Sequence, residues 1–182
     1  YTLTPDSGQR CVGTFTTDNL PPQLPELSVT RADDATMDDA VLLLGTLMGT
    51  TSAVFIVDRQ GRFRWHRIID DGALASDAHL VSGAILHNRY DQERIEDIGA
   101  VEATSLLGEP GEEVRTEWGH HVFAPLPDGG LAWPALDIRA WSDPDSDETL
   151  DVVGDRILTT DGEVFSIWDA EQPELGADTE QG

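Results

Sequence analysis

Three stretches of this chain share one layout, and that repetition limits the folds open to it. Ala53–Trp65 reads AVFIVDRQGRFRW, Gly119–Trp133 reads GHHVFAPLPDGGLAW, and Arg156–Trp168 reads RILTTDGEVFSIW. Each passes from β-branched or aromatic residues through an Asp/Gly turn into a second run that closes on tryptophan. Such a turn is a hairpin signal because glycine supplies the positive φ it needs. Helical periodicity is weak throughout, and strands recur at short intervals, which predicts an all-β sandwich, barrel or propeller. Imperfect repetition favours a propeller, whose blades are units of ~40–50 residues. Residues 27–170 supply about three such antiparallel, four-stranded blades, whereas a ring closes with about four to eight. The architecture expected is therefore a partial β-propeller completed by sequence outside these residues, with an open β-stack as the alternative.

Composition narrows the partners. The chain carries 35 acidic against 11 basic residues, all of the latter arginine, for a formal charge of −24. Such a field repels nucleic acid and anionic membrane surfaces, so an anionic substrate needs local arginines to overcome it. No run reaches the ~18–20 apolar residues of a membrane-spanning helix; the longest, Ala40–Gly49, is broken by glycine and threonine. The hydrophobic fraction of 39% and five tryptophans argue against wholesale disorder. Cys11 is the only cysteine, so no internal disulfide forms. No cofactor motif is present: there is no glycine-rich phosphate loop and no Gly-x-Ser-x-Gly element.

Along the chain, residues 1–18 end in an alternating run from Cys11 to Thr17 that reads as the last strand of a preceding domain. Residues 19–26, NLPPQLPE, form an extended proline-rich linker. Leu27–Arg31 is a strand, and the apolar run after Ala40 fits a short helix or a buried strand equally. Leu80–Tyr90 has a strand at its centre, Asp91–Val101 includes another, and the strand from Leu131 continues towards Trp141. Residues 171–182 read as a disordered tail or a loop cut short.

Several residues invite a chemical role. His120 and His121 sit side by side on what reads as an apolar strand, where neighbours point to opposite faces, so at most one faces a given site. His66 and Arg67 follow Trp65 at a strand end, within reach of a mouth. His79 and His87 stand too far apart in sequence to signal a metal site. The loop after Ser142 offers Asp143, Asp145, Asp147 and Glu148 as oxygen donors for calcium. It lacks the glycine and distant glutamate of an EF-hand and reads as a solvated acidic turn. Trp65, Trp133 and Trp168 fit packing between blades, while Trp118 and Trp141 are placed to line a site for an aromatic ring.

Taken in order, these elements resemble the bacterial arylsulfotransferase family. GTFTT followed by NLPPQLPEL looks like the exit of a fibronectin type III-like domain into a propeller, and VFIVDRQGRFRW resembles the family's D-x-x-G-x-x-x-W element. GHHVFAPLPDGGLAW resembles its HHD-x-x-x-LPNG element, and VGDRILTTDGEVFSIWD its D-x-I-x-E-x-D-x-x-G-x-V-x-x-x-W element. The likeness covers most of residues 11–170. It implies a six-bladed, extracytoplasmic propeller that passes a sulfuryl group from a phenolic sulfate ester to a phenol through a sulfated histidine, without a nucleotide donor. Carried over, His121 or His120 binds the sulfuryl group, and Arg139 on the following strand is the charge partner. The family's nucleophilic histidine generally belongs to a later blade, so the resemblance places it outside these 182 residues. Val122 stands where the family often has Asp, and Asp128-Gly129 replaces Asn-Gly, so no carboxylate adjoins the histidine pair in sequence. Two other classes fit the same residues: a non-catalytic secreted propeller serving binding or surface assembly, and a calcium-stiffened β-module.

Overall fold

The computed structural model describes residues 2–3, 11–12, 19–28, 42–48, 51–91, 99–142 and 149–170, with the backbone alone for 2–3, 11–12 and 42–43. The protein is all-β. Three antiparallel sheets follow one another along the chain, each a simple meander. The first contains β3 (Leu42–Leu47), β4 (Ser52–Asp58) and β5 (Phe63–Ile69). The second contains β6 (Ala78–Val81), β7 (Ala84–Arg89), β8 (Ala100–Ser105) and β9 (Pro110–Arg115). The third contains β10 (Ala124–Pro125), β11 (Leu131–Ser142), β12 (Thr149–Thr159) and β13 (Gly162–Ser166), followed by a one-turn helix α1 (Ile167–Ala170). A separate two-stranded ribbon pairs β1 (Thr2–Leu3) with β2 (Cys11–Val12).

The turn chemistry explains the hairpins. Between β4 and β5, Asp58 accepts the Gln60 and Arg62 amides at 2.9 and 3.0 Å and the Arg62 and Arg64 guanidiniums at 2.8 Å each. Burial alone would raise this carboxyl, yet those hydrogen bonds hold it far below the ordinary aspartate range. Gly61 completes the turn with φ 74°. Between β6 and β7, Ser82 and Gly83 both have positive φ, 49° and 83°, the signature of a primed two-residue hairpin.

Several expectations change. The apolar run after Ala40 is strand, β3, and the strand at the centre of Leu80–Tyr90 is β7, preceded by the end of β6. Of Asp91–Val101, Ala100 and Val101 open β8 and residues 92–98 lie outside the described residues; β9 is a strand the sequence does not announce. The first sheet shows three strands among the described residues, not four. The proline-rich linker is not extended throughout: the Leu24 amide donates to the Pro21 carbonyl at 3.0 Å, and Leu24 is buried. Trp168 lies in α1, past the end of its strand. Within Leu27–Arg31, residues 27 and 28 are not strand, and the rest lies outside the described residues, as do residues 13–18, the acidic loop with Asp143, Asp145 and Asp147, and the tail after residue 170.

The sheets stack in sequence order. Val54 and Ile56 of β4 and Ile69 of β5 pack with Ile85 of β7, Ala73 and Ala75, joining the first sheet to the second. Val101 of β8 packs with Phe123 and with Leu131, Trp133 and Ala135 of β11, joining the second to the third. Ile85 and Leu86 are adjacent on β7, point to opposite faces and serve the two cores separately. The far face of the third sheet is open: Ile138, Val153 and Phe165 are 46%, 60% and 46% exposed. No helix among the described residues is long and apolar enough to cross a membrane.

A charged layer sits within the first interface. Glu102 of β8 accepts Arg67 of β5 at 3.1 Å and Arg89 of β7 at 2.7 Å, and Arg89 also pairs with Asp71. This accounts for Arg67, which ties two sheets together. His87 is fully buried beside the cluster, its Nε2 unbonded and 3.9 Å from Glu102. Burial pushes His87 below the ordinary imidazole range, Glu102 opposes this, and Arg67 adds to it. A depressed folded pKa means that protons favour the unfolded chain. The stability tied to His87 is thus whole above pH ~6.5 and is lost as pH falls below it, before the carboxylates titrate near ~4. Melting temperature is expected to decline already below pH ~6.5, and His87→Leu, which fills the site without a titrating group, should flatten that first limb.

Candidate functional site

The histidine pair does not lie on a continuous strand. Trp118, Gly119 and His120 run antiparallel to β11: the Leu136 amide donates to the Trp118 carbonyl at 3.1 Å, Gly119 bridges to Ala135, and the His120 amide donates to the Pro134 carbonyl at 3.2 Å. The close approach needs glycine, since a Cβ at Gly119 would stand 2.7 Å from the Thr116 carbonyl oxygen. At His121 the chain leaves the edge. The Val122 amide donates back to the His120 carbonyl at 2.8 Å, closing a γ-turn around His121, whose φ is 60°. Pairing with β11 resumes only at Ala124. The Pro127-Asp128-Gly129 turn then forms as the sequence predicts, with Leu126 donating to Gly130 at 2.8 Å and Gly129 at φ 91°.

A non-glycine residue in this conformation costs about 1–3 kcal/mol. The second sheet and the loop leading into it hold it in place. The His121 carbonyl accepts the Asn88 side-chain amide at 2.8 Å and the Ser76 hydroxyl. Two residues on, the Phe123 amide donates to Asp77 at 3.1 Å, and His79 Nε2 donates to the Phe123 carbonyl at 3.0 Å. Asn88 is itself fixed by the Ser76 and Asp77 amides, each at 2.9 Å. At about 0.5–1.5 kcal/mol per bond these contacts are enough to offset the strain.

The turn overrides the alternation of a strand and brings both imidazoles together. His120 Nδ1 and His121 Nδ1 are 2.7 Å apart, with the rings edge to face and centroids 4.9 Å apart. The expectation that only one histidine could face a site is corrected on this point. His120 Nε2 lies 3.2 Å from Asp155 on β12, so a carboxylate does meet the pair, from across the sheet. The Tyr90 ring lies 6.0 Å from that of His121. Alongside runs a shallow apolar groove of about 180 Å³, lined by Val122, Phe123, Ala124, Ala132, Trp133, Pro134 and Ile157.

Arg139 is not brought to the pair. It lies five residues beyond Pro134 on β11, ~16 Å along the strand. There its guanidinium grips Asp137 at 2.8 and 3.2 Å, reaches Ser166 at 3.2 Å and covers the Trp168 ring. The Arg139 hydrogen bond, with help from Ser166, holds Asp137 below the ordinary aspartate range. Trp168 donates its indole N–H to the Asp137 carbonyl at 2.9 Å, so this cluster fastens α1 to the third sheet. The arginine expected as charge partner is thereby engaged elsewhere, and Asp155 takes the place beside the histidines.

Trp133 packs between the second and third sheets as expected, and Trp118 packs against the same core. Among the described residues no group of three His, Cys, Asp or Glu side chains could hold a metal ion. No family model matches the chain, and no curated protein or solved structure matches it.

Proposed function

We propose that this chain forms successive blades of an extracytoplasmic arylsulfotransferase-like β-propeller, and that its histidine pair takes part in passing a sulfuryl group from a phenolic sulfate ester to a phenol. The observation carrying this reading is the pair itself: two imidazoles in direct contact, set on a strained turn that four polar groups of the second sheet and the loop leading into it hold in place. Strain kept at this expense marks a working site better than it marks a packing accident. Neutral imidazole is a competent nucleophile near pH 7, and an N-sulfo intermediate divides one difficult transfer into two displacements. The adjoining groove suits an aromatic ring, whose burial offsets the repulsion an anionic ester meets from a chain of charge −24.

The propeller part of the reading is supported by the stacking. Meander sheets follow in chain order, each packed on the next. The test is a transfer assay on the complete polypeptide with nitrophenyl sulfate as donor and a phenol as acceptor. Nitrophenol release that depends on the acceptor is expected. Binding of the ester without release would favour the non-catalytic propeller.

A further inference from the structure

We infer that Asp155 is a positioning residue which, acting through His120, fixes His121 as the Nδ1–H tautomer and leaves its Nε2 lone pair bare. The argument follows the protons. An ionised carboxylate only accepts, so the 3.2 Å contact with Asp155 places a proton on His120 Nε2. A neutral imidazole carries one N–H, so His120 Nδ1 is then an acceptor. The 2.7 Å contact between the two Nδ1 atoms needs one donor, and His121 is the only one left. Its own proton thus lies on Nδ1, and Nε2 carries the lone pair. Free histidine in water favours the opposite tautomer, so this arrangement reflects the site.

The consequence rests on the sulfuryl-transfer reading. This departs from the family pattern, in which the attacking histidine generally belongs to a later blade: here the His121 Nε2 lone pair attacks sulfur, the N–S bond forms as the S–O(aryl) bond breaks, and the phenolate leaves with its electron pair. As positive charge builds on the His121 ring, its Nδ1 proton passes to His120 Nδ1. That leaves a neutral N-sulfo imidazole next to a His120 imidazolium paired with Asp155. The cation expected from Arg139 is in this way generated on His120 during the reaction. In the second half an acceptor phenolate attacks sulfur, the N–S electrons return to Nε2, and His120 gives the proton back.

The assignment also names the carboxylate missing from the sequence. Val122 follows the histidines where an adjacent acid was sought, and the acid comes instead from β12 through the pairing of Leu136 with Asp155. Asp155 is 63% exposed on its strand, so substituting it should spare the fold.

Long-range ¹H–¹⁵N spectra of the imidazoles of the full chain, recorded above the imidazole titration range, test this directly. Substituting the five histidines one at a time assigns the signals. The wild type should show His120 protonated at Nε2 and His121 at Nδ1. Asp155→Asn keeps an acceptor oxygen and should retain that pattern, whereas Asp155→Leu should lose it. His120→Phe, which removes the acceptor for His121, should return His121 to the Nε2–H form. A wild-type His121 protonated at Nε2, or a pattern unchanged in Asp155→Leu, overturns the proposal. The readout does not depend on turnover. The expected tautomer without sulfuryl transfer would overturn the functional reading alone, and transfer with the opposite tautomer would overturn the relay alone.

Discussion

Replacing Trp133 with alanine is expected to lower the free energy of unfolding by about 3–5 kcal/mol, as removal of a buried aromatic does. Trp133 is 7% exposed and sits in the cluster formed by Val101, Phe123, Leu131 and Ala135, the contact that joins the second and third sheets. Among the buried members of that cluster it is the largest side chain. Its indole N–H is buried with no hydrogen-bond partner, so packing is its whole contribution. Trp133→Phe keeps most of the apolar volume and gives up no bond, so it should cost less, about 1–2 kcal/mol. Urea unfolding with an unchanged m-value would measure both. Equal losses in the two variants would mean that the indole's volume is not what holds the sheets together. The same wall supports Phe123, so Trp133→Ala should also loosen the turn that carries the histidines.

His121→Asn is expected to reduce sulfuryl transfer by the complete polypeptide about 10³-fold or more, the scale on which loss of a nucleophile is felt. Asparagine accepts the positive φ that His121 holds and leaves the carbonyl contacts with Asn88 and Ser76 in place, so the fold should survive. His120→Asn should cost less, about 10–10²-fold, because the attacking nitrogen remains while the group that takes up its proton is lost. Steady-state kinetics with nitrophenyl sulfate would separate the two. An intact rate in His121→Asn would remove this histidine from the chemistry, and equal losses in both variants would contradict the division of roles between them.

What could be read from residues alone was set by local rules. Asp58 and Gly61, Asp128 and Gly129, and Asp161 and Gly162 announce their turns because carboxylate-to-amide bonds and positive φ act over a few residues. The flanking strands β4, β5 and β11 follow from runs of apolar and β-branched residues. Where the pattern is mute, the reading fails. Pro110–Arg115, PGEEVR, has no apolar alternation, and its strand is made by the ladder with β8. At His121 the opposite happens, since apolar alternation promised a strand and a γ-turn broke it. The partners that hold the turn come from the second sheet, Asn88, and from the loop leading into it, Ser76 and Asp77. Asp155 reaches His120 only because β11 and β12 pair Leu136 with Asp155, a register no short motif encodes. Arg139 was conspicuous as an arginine on the right strand, but Asp137 stands two residues away on the same face and claims it.

The most direct test of the account is to expose the complete polypeptide to an aryl sulfate without acceptor, quench at neutral pH, and map any added SO₃ by tandem mass spectrometry. The account predicts the group on His121, released when a phenol is supplied and absent from His121→Asn. An SO₃ adduct that forms and turns over on another residue while His121 stays unmodified would contradict it.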